Sequence, residues 1–116
     1  MKKVLLVDPL NCSLTVPIEG LCNCLAQQVF DLKQADDQMQ NETYDFLIID
    51  PYRFGPVILS SWLSNLRAKA PQLKIVFLSS FNQNTFKQKF PSISQEQYDF
   101  FIYSSPWPML KKIISN

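Results

Sequence analysis

Two aspartates are the residues of this sequence that are best suited to chemistry. Asp8 follows the apolar run 4–7 and Asp50 follows the apolar run 46–49, and a proline comes directly after each aspartate. A short continuous apolar run is typical of a strand buried on both faces of a parallel sheet. Proline ends such a strand because it has no N–H for the ladder. Each aspartate is therefore predicted at the carboxyl end of a strand, where open α/β sheets bind their ligands.

The two aspartates are more informative as a pair. If their strands are neighbours, Asp8 and Asp50 lie at the same edge of the sheet. Like charges that are close raise each other's pKa or require a cation. The alternative is that Asp50 only ends a strand and caps the loop that follows. The repetition of the pattern at Asp8 favours a paired acidic site.

Composition limits the class of protein. The chain of 116 residues is 47% apolar, which predicts one packed domain spanning 1–116. No apolar run approaches the roughly 20 residues that span a bilayer, and the N-terminus is predicted as a strand instead of a signal peptide. A formal charge of +1 argues against a nucleic-acid or membrane-surface role. Cys12, Cys22 and Cys24 form no C-x-x-C motif, so we expect a reduced cytoplasmic chain.

The absence of histidine removes further chemistry. Without it the chain has no Ser-His or Cys-His nucleophile and no imidazole ligand for a metal. We therefore expect a protein that is not an enzyme.

Strand and helix patterns alternate along the whole chain. A helix is predicted over 14–28, with a core stripe of Ile18, Leu21, Cys22 and Leu25, and then a strand over 29–35. A short helix capped by Asp36 precedes the strand that ends at Asp50. Later elements are a helix from Val57 to before Pro71, a strand at 73–78, a weak helix near Phe86, a strand at 98–103 and a helix at 108–114. This order predicts a parallel sheet with helices on both faces.

These features together resemble the receiver domain of bacterial response regulators, the CheY-like proteins. The resemblance spans Lys2 to Ile114 and rests on the order and spacing of elements, with an Asp after strands one and three and Ser79 at the end of strand four. It implies an α/β fold, namely a three-layer, doubly wound (βα)5 sandwich. The sheet would be parallel, with strand order 2-1-3-4-5 as in flavodoxin-like folds, and the second helix would be shortened.

The resemblance assigns roles to four residues. Asp50 matches the phospho-acceptor aspartate, and Asp8 matches the first of the two acids after strand one. Ser79 matches the hydroxyl residue that senses the phosphoryl group. Pro106 matches the proline after strand five, where the family has a cis peptide bond. These matches predict an acidic pocket formed by Asp8 and Asp50.

Three departures from the family pattern change the expected function. Pro9 replaces the second acid, Ser105 replaces the lysine that precedes the proline, and Ile102 replaces the aromatic switch residue. Phosphoryl transfer to a carboxylate depends on a metal and a fixed cation, so the loss of the second acid together with the lysine should cost on the order of several kcal/mol of transition-state stabilisation. We expect an atypical receiver, or pseudo-receiver, with no cofactor beyond weak Mg²⁺ binding at Asp8 and Asp50.

Arg53 leaves an alternative open. Three residues beyond Asp50, its guanidinium could fold back onto Asp50 or Asp8 and substitute for the lost lysine. The other possibility is an ordinary exposed arginine in a loop.

The second half of the chain is rich in aromatic residues. Phe86 and Phe90 on a weak helix, with Ile102 and Trp107 near the last strand, predict an apolar interaction patch for a protein partner or a second copy. The competing interpretation is that these side chains are core.

The sequence is consistent with two functions. The first is an interaction or dimerisation module in two-component-type signalling that is largely independent of phosphorylation, with no membrane or direct nucleic-acid contact. The second is a receiver that still accepts a phosphoryl group at Asp50, either alone or as the N-terminal part of a transcriptional regulator. A flavodoxin-like small-molecule binder is disfavoured, because the chain has two glycines and no Gly-rich loop after strand one.

Overall fold

The computed structural model describes residues 1–9, 15–103 and 106–115. Five strands form one parallel sheet in the order β2-β1-β3-β4-β5. The strands are β1 (Lys2–Val7), β2 (Cys24–Val29), β3 (Phe46–Ile49), β4 (Lys74–Ser79) and β5 (Phe100–Tyr103). The predicted fold class and strand order are confirmed.

Five helices alternate with the strands. They are α1 (Thr15–Cys22), α2 (Leu32–Asn41), α3 (Pro56–Lys69), α4 (Gln83–Lys89) and α5 (Pro106–Ser115), with 3₁₀ turns at Pro51–Arg53 and Gln95–Gln97. Within the described ranges, no helix has both the length and the apolar character that a bilayer crossing requires.

Each face of the sheet carries its own hydrophobic core. Leu5 and Val7 of β1 pack on the face covered by α2, α3 and α4, whereas Val4 and Leu6 pack on the face covered by α1 and α5. Successive side chains of a strand point to opposite faces, so a strand that is covered on both sides must be apolar throughout. This explains why the runs before Asp8 and Asp50 show no polar alternation.

The position of β2 corrects the first prediction made for this part of the chain. The predicted helix over 14–28 ends at Cys22, and β2 occupies 24–29, so the predicted strand over 29–35 is wrong. Ile18 and Cys22 are buried as expected, but Leu25 lies on β2 and is half exposed. The Leu21 side chain lies outside the described part of the structure. Leu25 is the one member of the predicted stripe that lies on β2, and its spacing from Ile18 and Cys22 made this edge strand resemble a continuation of the helix.

The start of α2 is also corrected. The N-cap is Asp31, whose Oδ1 accepts the Gln34 N–H at 2.7 Å, and not Asp36. Helix α2 therefore begins earlier than predicted and has ten residues. Asp36 lies within the helix, and its Oδ1 accepts the Trp62 indole N–H at 2.9 Å, which joins α2 to α3.

The C-terminal half follows the prediction more closely. The helical spacing of Leu59, Trp62, Leu63, Leu66 and Ala70 predicts one core stripe; the first four are buried on α3, and Ala70 is its partly buried C-cap. Strand β4 begins and ends one residue later than predicted, and β5 begins two residues later than predicted. Helix α5 begins at Pro106 and not at Pro108. Proline is favoured in the first turn of a helix, which accounts for the earlier start.

Candidate functional site at the carboxyl edge of the sheet

The sheet register brings the two predicted aspartates to the same edge. Val7 of β1 is paired with Ile49 of β3, and Asp8 and Asp50 are the next residues of these neighbouring strands. Burial raises the pKa of Asp50 above its usual value of 3.8, and the negative charge of Asp8 adds to this effect. The Asp8 N–H donates to the Val29 carbonyl at 3.0 Å, which extends the contact between β1 and β2. Asp8 and Asp50 therefore follow adjacent strand ends at this edge of the sheet, and their role as an acidic pocket stays a prediction.

Both carboxylate oxygens of Asp50 already have partners. Oδ1 accepts the Tyr52 backbone N–H at 2.9 Å, so Asp50 caps the 3₁₀ turn that begins at Pro51. Oδ2 lies 3.5 Å from Nε of Arg53. These two contacts lower the pKa of Asp50, although burial outweighs them. Arg53 thus reaches back to Asp50 while part of its side chain remains in solvent.

The hydroxyl of Ser79 is turned into its own loop. Ser79 is buried at the end of β4; its Oγ donates to the Phe81 carbonyl at 2.7 Å and accepts the Phe81 N–H at 3.0 Å. This arrangement fixes the chain directly after β4. The only hydrogen of the hydroxyl is therefore used within residues 79–81.

The donor set at this edge does not fit an octahedral Mg²⁺ site. Mg²⁺ requires about six oxygens in a near-ideal arrangement. Pro9 has no side-chain oxygen, and in the part of the chain that the structure describes no three His, Cys, Asp or Glu residues form a metal cluster. Both carboxylate oxygens of Asp50 already contact groups of the chain, namely the Tyr52 N–H and Arg53 Nε.

Two of the predicted site positions lie outside the described residues. Ser105, which stands in place of the family's lysine, is one of them, and the Ser105–Pro106 bond proposed to be cis is the other. Pro106 itself is the first residue of α5.

The predicted interaction patch is wrong in most of its members. Phe86 and Phe90 are fully buried and Ile102 is 4% exposed, whereas Trp107 is 36% exposed. Phe86 lies at the centre of an aromatic cluster, with its ring centroid 4.9 Å from that of Phe90 and 5.1 Å from that of Phe101. The short helix α4 is amphipathic, and its rings fill the space beside β4. The core-packing interpretation is therefore correct for these residues.

The two described cysteines are structural. Cys22 and Cys24 are buried and not in a disulfide. Burial raises the pKa of the Cys24 thiol to about 11, so the thiolate that would be reactive is scarce at neutral pH. Cys12 lies outside the described residues.

Sequence reasoning missed Tyr52 and Phe81. The Tyr52 ring centroid lies 4.9 Å from that of Phe81 and 5.1 Å from that of Phe90. Phe81 is 49% exposed and connects this cluster to the surface. The only signal in the sequence was the position of Tyr52 two residues after Asp50, because turn-rich segments have no periodicity from which burial can be inferred.

The burial of Asp50 leads to a prediction about stability. Asp50→Asn should raise the free energy of unfolding at neutral pH, because asparagine caps as well as aspartate and carries no charge to desolvate. The loss of the ion pair with Arg53 should matter little, since the Arg53 side chain is 43% exposed and solvent screens the pair. Asp50→Ala, which also loses the cap, should be less stable than Asp50→Asn by about 1 kcal/mol. Urea unfolding monitored by tryptophan fluorescence measures these differences.

The raised pKa of Asp50 also predicts how the difference in stability between Asp50→Asn and the natural chain changes with pH. A raised folded-state pKa means that Asp50 favours the fold only when it is protonated, so its contribution is present below 3.8 and is lost as the pH rises through the folded value. The advantage of Asp50→Asn over the natural chain should therefore shrink as the pH is lowered towards about 3. A natural chain more stable than Asp50→Asn at neutral pH would show that Tyr52 and Arg53 more than offset the burial.

The architecture is that of response-regulator receiver domains. No family model and no curated protein sequence matches the chain. A response regulator from Thermotoga maritima is similar in structure with a TM-score of 0.76 at 14% identity, covering 100% of this chain and 99% of that chain. The receiver domain of the Francisella response regulator 1452 has a TM-score of 0.69 at 21% identity, covering 98% and 93%.

A third similar structure is described as an atypical orphan response regulator with a new phosphorylation-independent regulatory mechanism. It has a TM-score of 0.68 at 18% identity and covers 97% of this chain and 89% of that chain. At these identities the similarity establishes the fold. The chain has the receiver fold, as the resemblance predicted, and its structural neighbours are response-regulator receiver domains, orphan ones among them.

Proposed function

We propose that this chain is a pseudo-receiver that serves two-component-type signalling as a non-catalytic protein-interaction module, without a phosphorylation cycle at Asp50. The receiver fold supports the signalling class. The similarity to an orphan regulator that is described as phosphorylation-independent supports the mode of action.

The observation that carries this proposal is that the polar groups of the site are already satisfied by the chain itself. Asp50 is held by Tyr52 and Arg53, and the Ser79 hydroxyl is held by Phe81. A phospho-acceptor carboxylate needs an accessible oxygen, and the transferred group needs a metal and a cation to neutralise its charge. An edge whose groups are paired internally suits a fixed scaffold better than a site for a reversible covalent group.

Incubation with acetyl phosphate and Mg²⁺, followed by intact-mass spectrometry, tests this proposal. We expect the natural chain to gain no more phosphoryl group than the Asp50→Asn control, because the site lacks the charges that stabilise the transition state. A CheY-like receiver with the complete acid and lysine set, treated in parallel, shows that the reagent is active. A gain of one phosphoryl group that disappears in Asp50→Asn would contradict the proposal.

The proposed partner is a protein or a second copy of the chain, bound through the surface that follows β5. Three apolar side chains are exposed there, namely Tyr103, Trp107 and Met109. Exposed apolar clusters are typical of interaction sites. If binding does not depend on phosphorylation, Asp50→Asn should leave any self-association seen by light scattering unchanged.

A second candidate function rests on Arg53. Its Nε lies 3.5 Å from Asp50 Oδ2, so a guanidinium is present near the carboxylate although the family's lysine is missing. In this alternative Arg53 stabilises the phosphoryl oxygens and Asp50 remains a slow acceptor. The same mass-spectrometric assay distinguishes the two functions, because phosphorylation that depends on Arg53 is lost in Arg53→Ala and in Asp50→Asn alike.

A further inference from the structure

The hydroxyl of Tyr52 is in an unusual position. The oxygen is buried and has no hydrogen-bond partner among the described residues. Tyr52 as a whole is only partly buried, and the two buried tyrosines have partners: Gln83 Nε2 donates to the Tyr98 hydroxyl and Gln38 Nε2 donates to the Tyr44 hydroxyl, each at 2.9 Å. Buried polar groups are nearly always paired, so the Tyr52 hydroxyl requires an explanation.

Two opposing effects act on the Tyr52 side chain. Its ring packs edge-on against Phe90 and tilted against Phe81, which favours the buried position. Its hydroxyl loses its hydrogen bonds to water in that position, which disfavours it. Burial also raises the pKa of Tyr52, and the charge of Asp50 adds to the increase. Because these effects act in opposite directions, the unpartnered hydroxyl reduces the advantage that ring packing gives to the buried position.

The surroundings of Tyr52 allow it to move. Its backbone is held by the Asp50 carboxylate, so the side chain can change its rotamer while the turn stays in place. The ring that covers it, Phe81, is half exposed and lies in the loop after β4. Phe81 is tied down only through its backbone, by the two hydrogen bonds to Ser79. Neither side chain is therefore fixed by a polar contact of its own.

We propose that Tyr52 and Phe81 form a two-position switch at the carboxyl edge of the sheet. In one position Tyr52 is buried beneath Phe81. In the other, Tyr52 turns outward, its hydroxyl reaches water and Phe81 is displaced with it. A partner that contacts Phe81 would bind the two positions with different affinities and so shift their populations. The proposal concerns the chain's own conformations and does not depend on whether Asp50 accepts a phosphoryl group.

A pair of tyrosine-to-phenylalanine variants tests the energetic basis. Tyr52→Phe should raise the melting temperature by about 4 °C, because it removes a buried hydroxyl that has no partner. Tyr98→Phe is the matched control in the same aromatic cluster and should lower the melting temperature, because it leaves the Gln83 amide without its acceptor. An unchanged or lower melting temperature for Tyr52→Phe would overturn the proposal.

NMR relaxation dispersion on the natural chain tests the motion itself and needs no substitution. The amides of Tyr52, Ser79 and Phe81 should show microsecond-to-millisecond exchange. Tyr52→Phe should suppress this exchange by favouring the buried position, whereas Tyr98→Phe should leave it in place. Absence of exchange in the natural chain, or exchange that persists in Tyr52→Phe, would overturn the switch.

Discussion

Phe86→Ala is expected to lower the free energy of unfolding by about 3–5 kcal/mol, the range for removing a large aromatic side chain from a core. Phe86 is fully buried and contacts five other rings, those of Tyr52, Phe77, Phe90, Tyr98 and Phe101. The short helix α4 has few other apolar contacts with which to close the resulting cavity. Urea unfolding followed by circular dichroism measures the change in the free energy of unfolding. A decrease below about 1 kcal/mol would contradict the close packing of Phe86 in the aromatic cluster.

Trp107→Glu is the control for this prediction. Trp107 is the one member of the predicted patch that is substantially exposed, so a charge there should leave the unfolding midpoint nearly unchanged. If the surface after β5 mediates self-association, the same substitution should reduce the mass measured by light scattering. The two variants together separate a core residue from a surface residue that were predicted to share one patch.

Asp99→Ala is expected to lower the free energy of unfolding by about 2 kcal/mol. Asp99 Oδ2 accepts the Ile75 N–H at 2.8 Å and an Arg67 guanidinium N–H at 2.6 Å. Arg67 also donates to the Leu73 carbonyl at 2.8 Å, so the pair joins α3 to the amino ends of β4 and β5. About three quarters of each side chain is out of contact with solvent, which makes the loss of one partner costly.

The ion pair between Lys3 and Glu42 is the matched control for Asp99. Its atoms are 2.9 Å apart, but both side chains are at least 40% exposed. Solvated pairs of this kind contribute little, so Glu42→Ala should leave the unfolding midpoint almost where it was. If Asp99→Ala and Glu42→Ala lowered the free energy of unfolding equally, the hydrogen bond from the Ile75 N–H to Asp99 would contribute nothing beyond the ion pair.

The strands of the sheet interior could be predicted because their environment constrains every residue. Strands β1, β3 and β4 are covered on both faces, so each contains a continuous apolar run of at least four residues, and the acid or hydroxyl after each run marks the carboxyl edge. β2 lies at the edge of the sheet and is under no such constraint. Its exposed Leu25 and Gln27 gave no strand signal, which is why the boundary at Cys22 was missed.

The sequence by itself determined the parallel α/β order and the two aspartates that end adjacent strands, because local periodicity and strand-ending residues carry that information. Only the tertiary structure decided what those groups touch. The side chains of Asp50, Arg53 and Ser79 contact partners within their own loops, and the Phe86 side chain is buried in the core. Such contacts depend on the direction of each side chain in the folded chain, and residue type and spacing do not encode that direction.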